Sequence, residues 1–122
     1  MNNTKVVSLR LNTKDYKELN KLLNYMVHHY EYTKLLSPFI NELIEMSFDG
    51  SINPILSLIR ENRGEIVKGR TTNKAVGIVM NKEVYDEFVE MNKEVFKLRT
   101  VSELIRIFII NGMNLLKESE EI

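Results

Sequence analysis

The sequence predicts a mostly α-helical chain with two short β-strands, arranged as two strand–helix–helix units in tandem. Three observations predict this. Residues 6–19, V-V-S-L-R-L-N-T-K-D-Y-K-E-L, are repeated in kind by residues 75–88, A-V-G-I-V-M-N-K-E-V-Y-D-E-F, at an offset of 69. Val7 falls on Val76, Leu9 on Ile78, Leu11 on Met80 and Leu19 on Phe88, while Asn12, Tyr16 and Glu18 fall on Asn81, Tyr85 and Glu87. Second, Phe39-Ile40 and Leu43-Ile44 match Leu104-Ile105 and Phe108-Ile109 at an offset of 65, so the first copy carries four extra residues, about one helical turn. Third, each copy opens with apolar residues at period two and continues at helical spacing. A repeat this long marks a duplicated structural unit rather than a short solenoid repeat.

The elements follow in order. Over residues 5–11, Val7, Leu9 and Leu11 alternate with Val6, Ser8 and Arg10, the pattern of a half-buried strand. Asn12 or Thr13 offers a side-chain oxygen to the free amides of a new helix, and Asp15 suits its positive first turn. Tyr16, Leu19, Leu22, Leu23, Met26, Val27 and Tyr30 form the apolar stripe of that helix. The polar stretch 28–34 ends the pattern. A second helix starts near Leu35–Ser37, with Pro38 tolerated in its first turn. Phe39, Ile40, Leu43, Ile44 and Phe48 face inward, and Asp49-Gly50 stops it.

The second copy repeats the plan. Its strand is Ala75–Met80, with Val76, Ile78 and Met80 on one face. Its first helix is expected from Lys82 to Phe96, burying Tyr85, Phe88, Val89, Asn92, Val95 and Phe96. Thr100 with Glu103 three residues later reads as a capping box. The helix that follows, to about Leu116, is apolar on nearly every side through 104–110, so it belongs at the centre of the fold. Between the copies, Asn53-Pro54 opens a short helix with Ile55, Leu58 and Ile59 inward, and residues 63–73 read as a mobile basic linker. Three parts result: a first unit over 1–48, a linker with a short helix over 49–73, and a second unit over 74–122 ending in a short acidic tail, Glu118–Glu121.

Composition narrows the function. The chain has 122 residues, 43% of them apolar, no cysteine and a formal net charge of zero. Disulfides and thiolate metal sites are excluded, and the adjacent His28 and His29 lack further ligands for zinc. No nucleophile–base set and no glycine-rich phosphate loop is present, so the expectation is that the chain is not an enzyme and uses no cofactor. Arg106, Asn111 and Asn114 interrupt the longest apolar run, which is too short to span a bilayer, and no signal-peptide core opens the chain. The expected location is the cytoplasm, on the nucleoid. Charge is unevenly spread. Lys5, Arg10, Lys14, Lys17 and Lys21 crowd the first strand and helix, and Arg60, Arg63, Lys68, Arg70 and Lys74 precede the second strand. Basic surface beside both strands could meet phosphate.

V-S-L-R-L-N-x-x-x-Y-x-x-L and V-S-E-L-I-R-I-F-I-I resemble the ribbon-helix-helix family of DNA-binding regulators. The similarity covers residues 5–48 and 74–116. It implies that the two strands form a short antiparallel two-stranded ribbon and that the two units make a pseudo-dimer within one chain, similar to tandem regulators of mobile elements such as archaeal viruses. The implied partner is a double-stranded DNA operator, bound to repress or activate transcription, with the ribbon in the major groove. The implied base-contacting positions are Val6, Ser8 and Arg10 in the first strand and Ala75, Gly77 and Val79 in the second. Arg10 could donate twice to a guanine edge, Ser8 could bond several bases and Val6 could touch a thymine methyl. The second strand departs from the pattern, because its three outward residues carry no hydrogen-bonding side chain. The implied phosphate contacts are Lys5 and Lys74, with Leu35, Leu36 and Ser37 at one helix start and Thr100, Val101 and Ser102 at the other.

Tethering favours pairing of strand 5–11 with strand 74–80 of the same chain, at an effective concentration on the order of millimolar. One chain then acts as a monomeric pseudo-dimer, with side-by-side association of two chains on DNA left open. The competing arrangement pairs each strand with its equivalent in a second chain. Competing functions are a protein-interaction or inhibitor module on the same fold and an antitoxin-like autoregulator.

Overall fold

The two alternating segments pair with one another. β1 (Thr4–Asn12) and β2 (Asn73–Asn81) form a two-stranded antiparallel sheet whose register runs from Thr4 opposite Asn81 to Asn12 opposite Asn73. Ser8 lies opposite Gly77 at its midpoint. The strand limits therefore differ by the same 69 residues as the sequence repeat, and so do the members of the central pair. The computed structural model describes residues 3–33, 35–62 and 73–122; the basic linker expected at 63–73 lies outside these except for Asn73, which opens β2 two residues earlier than the alternation predicts.

A bare two-stranded ribbon is marginal in water. Here the inward face, Val7, Leu9, Leu11, Val76, Ile78 and Met80, is buried against helices. Asn12 accepts the Asp15 amide at 2.7 Å and starts α1 (Thr13–Tyr30). Asn81 accepts the Glu83 amide at 2.7 Å and starts α4 (Lys82–Met91), the intervening helices being α2 (Leu36–Asp49) and α3 (Asn53–Asn62). A π-helical turn (Asn92–Phe96) follows α4, and α5 (Val101–Glu120) closes the chain. α1 and α4 begin 69 residues apart, and α2 and α5 begin 65 apart, matching both offsets of the repeat.

α2 and α5 cross at the centre. Phe39, Ile40, Leu43 and Ile44 meet Leu104, Ile105, Phe108 and Ile109, all buried. Gly112 permits the close approach: a Cβ there would lie 2.3 Å from the Leu43 carbonyl oxygen. On the other side of the crossing, Ser47 Oγ donates to the Phe108 carbonyl at 2.9 Å and accepts from Asn111 Nδ2 at 2.7 Å. Phe108 is ringed by Phe88, Phe48 and Phe96 at centroid distances of 4.9, 5.1 and 6.4 Å. α3 packs on α5 with Ile55 buried and Leu58 and Ile59 half-buried, so the segment between the copies also supplies core.

Several sequence expectations need correction. The helix expected through Phe96 keeps α-geometry only to Met91. The wider π-turn shifts the helical phase, which turns Val95 to 60% exposure; Asn92 instead binds both the N–H and the carbonyl of Leu98, at 2.8 and 3.1 Å. Val27 and Tyr30, placed in the stripe of α1, are exposed because the last turns of that 18-residue helix run past the core, and Val89, placed on the buried side of α4, is exposed because Phe88 rather than Val89 points into the core. The acidic tail is largely helical: α5 continues to Glu120. It is held there by Lys117 Nζ on Glu18 at 3.0 Å and by Glu120 Oε1, which accepts from Tyr25 and Tyr30 hydroxyls at 3.1 and 2.5 Å. The bond to Glu120 and partial desolvation push the Tyr30 pKa above its ordinary range. No helix among the described residues is long and apolar enough to cross a membrane.

Candidate nucleic-acid interface

Alternation that buries one face of the ribbon exposes the other. Its outward side chains form three cross-strand pairs: Val6 with Val79, Ser8 with Gly77, and Arg10 with Ala75. All six residues are exposed, Val6 at 73% and Val79 at 49%. At Gly77 a Cβ would meet nothing within 4 Å, so the centre of this face is open. Neither strand contains a carboxylate; their charged residues are Lys5, Arg10 and Lys74. The six positions that the resemblance implies for base contact thus share one surface.

The remaining sequence-predicted positions are less uniform. Lys5 sits opposite Met80 at the end of the inward face, and its Nζ lies 4.8 Å from the Tyr85 ring centroid. That contact holds the ammonium at one end of the ribbon. Lys74, opposite Leu11, is exposed at the other end. α2 flanks β2 and α5 flanks β1, and the start of α2 lies directly against β2 through Ser37 and Asn41.

The two flanks are built differently. Leu35 is the N-terminal cap of α2, 77% exposed and making no side-chain cap bond, with Leu36 and Ser37 half-buried behind it. Ser37 Oγ accepts the Val79 N–H at 2.9 Å, and Asn41 Nδ2 donates to the Val79 carbonyl at 2.8 Å and to the Ser37 carbonyl at 3.0 Å. The outer edge of β2 is therefore satisfied by side chains at this point. At the start of α5, exposed Thr100 caps through Oγ, which accepts the Glu103 amide at 3.2 Å, and Val101 and Ser102 follow half-buried. Arg106 stands where the repeat places Asn41 in the other copy, and its Nη2 reaches Asp15 Oδ2 at 3.3 Å. That ion pair is almost enclosed, with side-chain exposures of 9% and 19%.

Asn41 and the Asp15–Arg106 pair are features that the spacing did not single out. Their signal is a polar residue at corresponding positions of two apolar helix faces, which reads only as an interruption until the strand beside it is placed. His28 and His29 lie exposed near the end of α1, where His29 stacks on Tyr25 at 3.9 Å. Among the described residues, no group of three His, Asp or Glu side chains is placed to hold a metal ion. No protein-family model matches the chain, and neither a curated protein nor a solved structure matches it.

Proposed function

We propose that this chain is a sequence-specific DNA-binding regulator, a tandem ribbon-helix-helix protein whose two units form a pseudo-dimer and insert one ribbon into the major groove. The observation that carries the reading is the ribbon itself: two paired strands with an exposed outward face, cations at both ends and no carboxylate. A two-stranded ribbon fits the major groove of B-form DNA, where base edges differ in donors, acceptors and methyl groups. Carboxylate-free strands suit a polyanion. The pseudo-dimer is supported by the register, because a two-fold axis relating residues 69 apart must pass through a pair whose members are 69 apart, and Ser8 with Gly77 is that pair.

Arg10 supplies the direct base contact in this reading. Lys5, Lys74 and the helix starts at 35–37 and 100–102 supply the phosphate contacts that fix orientation. The test is selection from a randomised duplex pool with the full chain, followed by affinity measurement on the enriched duplex. Arg10→Ala should weaken that affinity by roughly 1–3 kcal/mol with the fold intact, since its side chain leaves the core untouched. Unchanged affinity in a folded variant, or no enrichment at all, would contradict the reading. Capture of a protein partner at the same face, with no duplex binding, would favour an interaction module instead.

A further inference from the structure

We infer that the ribbon reads an asymmetric operator by two chemistries, a guanine edge at one end and thymine methyl groups at the other. This inference rests on the DNA-binding reading above. Under the repeat, Val79 is the counterpart of Arg10, Gly77 of Ser8 and Ala75 of Val6. The antiparallel register then gives the two ends of the face different chemistry. At one end Arg10 stands beside Ala75; at the other, where a symmetric ribbon would offer a second arginine, Val79 stands beside Val6.

The result is a face graded along its length. One end carries a guanidinium next to a single methyl. The middle is Ser8 with the open site at Gly77. The other end is a pair of branched apolar side chains, exposed by 73% and 49%, with no hydrogen-bonding atom between them. In the major groove the exposed apolar group is the thymine C5 methyl, and the bidentate target of arginine is the guanine O6/N7 edge. The apolar end is not spare surface that could swing away, because Ser37 and Asn41 hold the Val79 backbone on both its N–H and its carbonyl. Arg10 and Val6 are four residues apart on one strand, about 13 Å at ~3.3 Å per residue, which spans about four base-pair steps.

The operator core is therefore a guanine–cytosine pair at one side and a thymine-bearing step about four base pairs away. Cations lie at both ends, so backbone attraction does not favour either orientation and the face chemistry sets it.

The test uses the full chain, a duplex selected from a random pool, and copies of that duplex in which single thymines are replaced by deoxyuracil. This substitution removes the methyl and keeps base pairing. Affinity should fall about fourfold for each methyl that Val6 or Val79 covers, the worth of one methyl-sized apolar group. It should stay level for thymines elsewhere. In Val79→Ala the deoxyuracil effect should shrink while the guanine preference stays. The triple variant Ala75→Val, Gly77→Ser, Val79→Arg should shift selection toward a palindrome with guanine on both sides. A selected duplex that is already palindromic, or one indifferent to every deoxyuracil replacement, would overturn this inference and leave DNA binding standing. Failure to enrich any duplex would overturn both.

Discussion

Gly112 shows how one residue can set the geometry of the core. In the middle of a helix, glycine to alanine ordinarily gains about 1 kcal/mol of helix propensity. Here the added Cβ would stand 2.3 Å from the Leu43 carbonyl oxygen and 2.8 Å from its Cβ, and the nearest atoms are backbone that cannot turn aside. Overpacking of this kind typically costs about 1–3 kcal/mol, so the clash outweighs the propensity. Gly112→Ala should lower the thermal midpoint by several degrees, and calorimetry showing a rise would refute the close crossing. The Asp15–Arg106 pair permits a paired prediction. Removing either partner of an enclosed ion pair strands the other charge and costs about 3–5 kcal/mol, whereas replacing both by apolar side chains of similar size is often neutral or stabilising. Asp15→Ala or Arg106→Met alone should thus destabilise more than the double variant Asp15→Leu/Arg106→Met in chemical denaturation, and a double variant that loses as much as the two single ones together would show that the stranded charge is not the cost.

Among the elements, the strands and the helix starts were the most legible in the sequence. Period-two alternation over residues 5–11 and 75–80 correctly sorted every inward and outward side chain, because a half-buried strand leaves each position only two choices. Asn12 and Thr100 announced two helix starts through side-chain chemistry that acts within a few residues, and Asn81, the repeat counterpart of Asn12, caps a third. What stayed hidden depends on contacts distant in the chain. The extension of α5 to Glu120 rests on Glu18, Tyr25 and Tyr30 of α1, and no local pattern records the π-turn at 92–96 that turns Val95 outward. The bracing of β2 by α2 is of the same sort, since Ser37 and Asn41 meet Val79 across about forty residues of chain. A neutral hydrogen bond of this type contributes about 1 kcal/mol. Ser37→Ala should speed amide hydrogen exchange at Val79 while leaving core amides of α5 protected. Unchanged exchange at Val79 would show that the hydroxyl does not hold the strand edge.

For the whole molecule, the repeat was legible and so was the pairing of its strands, but the make-up of the outward face was not. Two offsets in the sequence, 69 and 65, reappear as the spacing of the strands and of the helices. The tandem resemblance and tethering both place the two strands in one ribbon of a single chain, and the register from Thr4–Asn81 to Asn12–Asn73 realises that pairing. The candidate site was legible as six positions on one face. Its grading from Arg10 to the Val6–Val79 pair required the register, because only the antiparallel alignment brings those two valines together. Function follows from this face if the face is what DNA touches. The direct measurement is a titration of the isotopically labelled full chain with the selected duplex, following every backbone amide by NMR. Shifts should concentrate on residues 4–12 and 73–81 and on the helix starts at 35–37 and 100–102, saturating with each chain contributing both strands of a single ribbon. Shifts confined to α3 or to the end of α5, with the ribbon amides unmoved, would contradict the account.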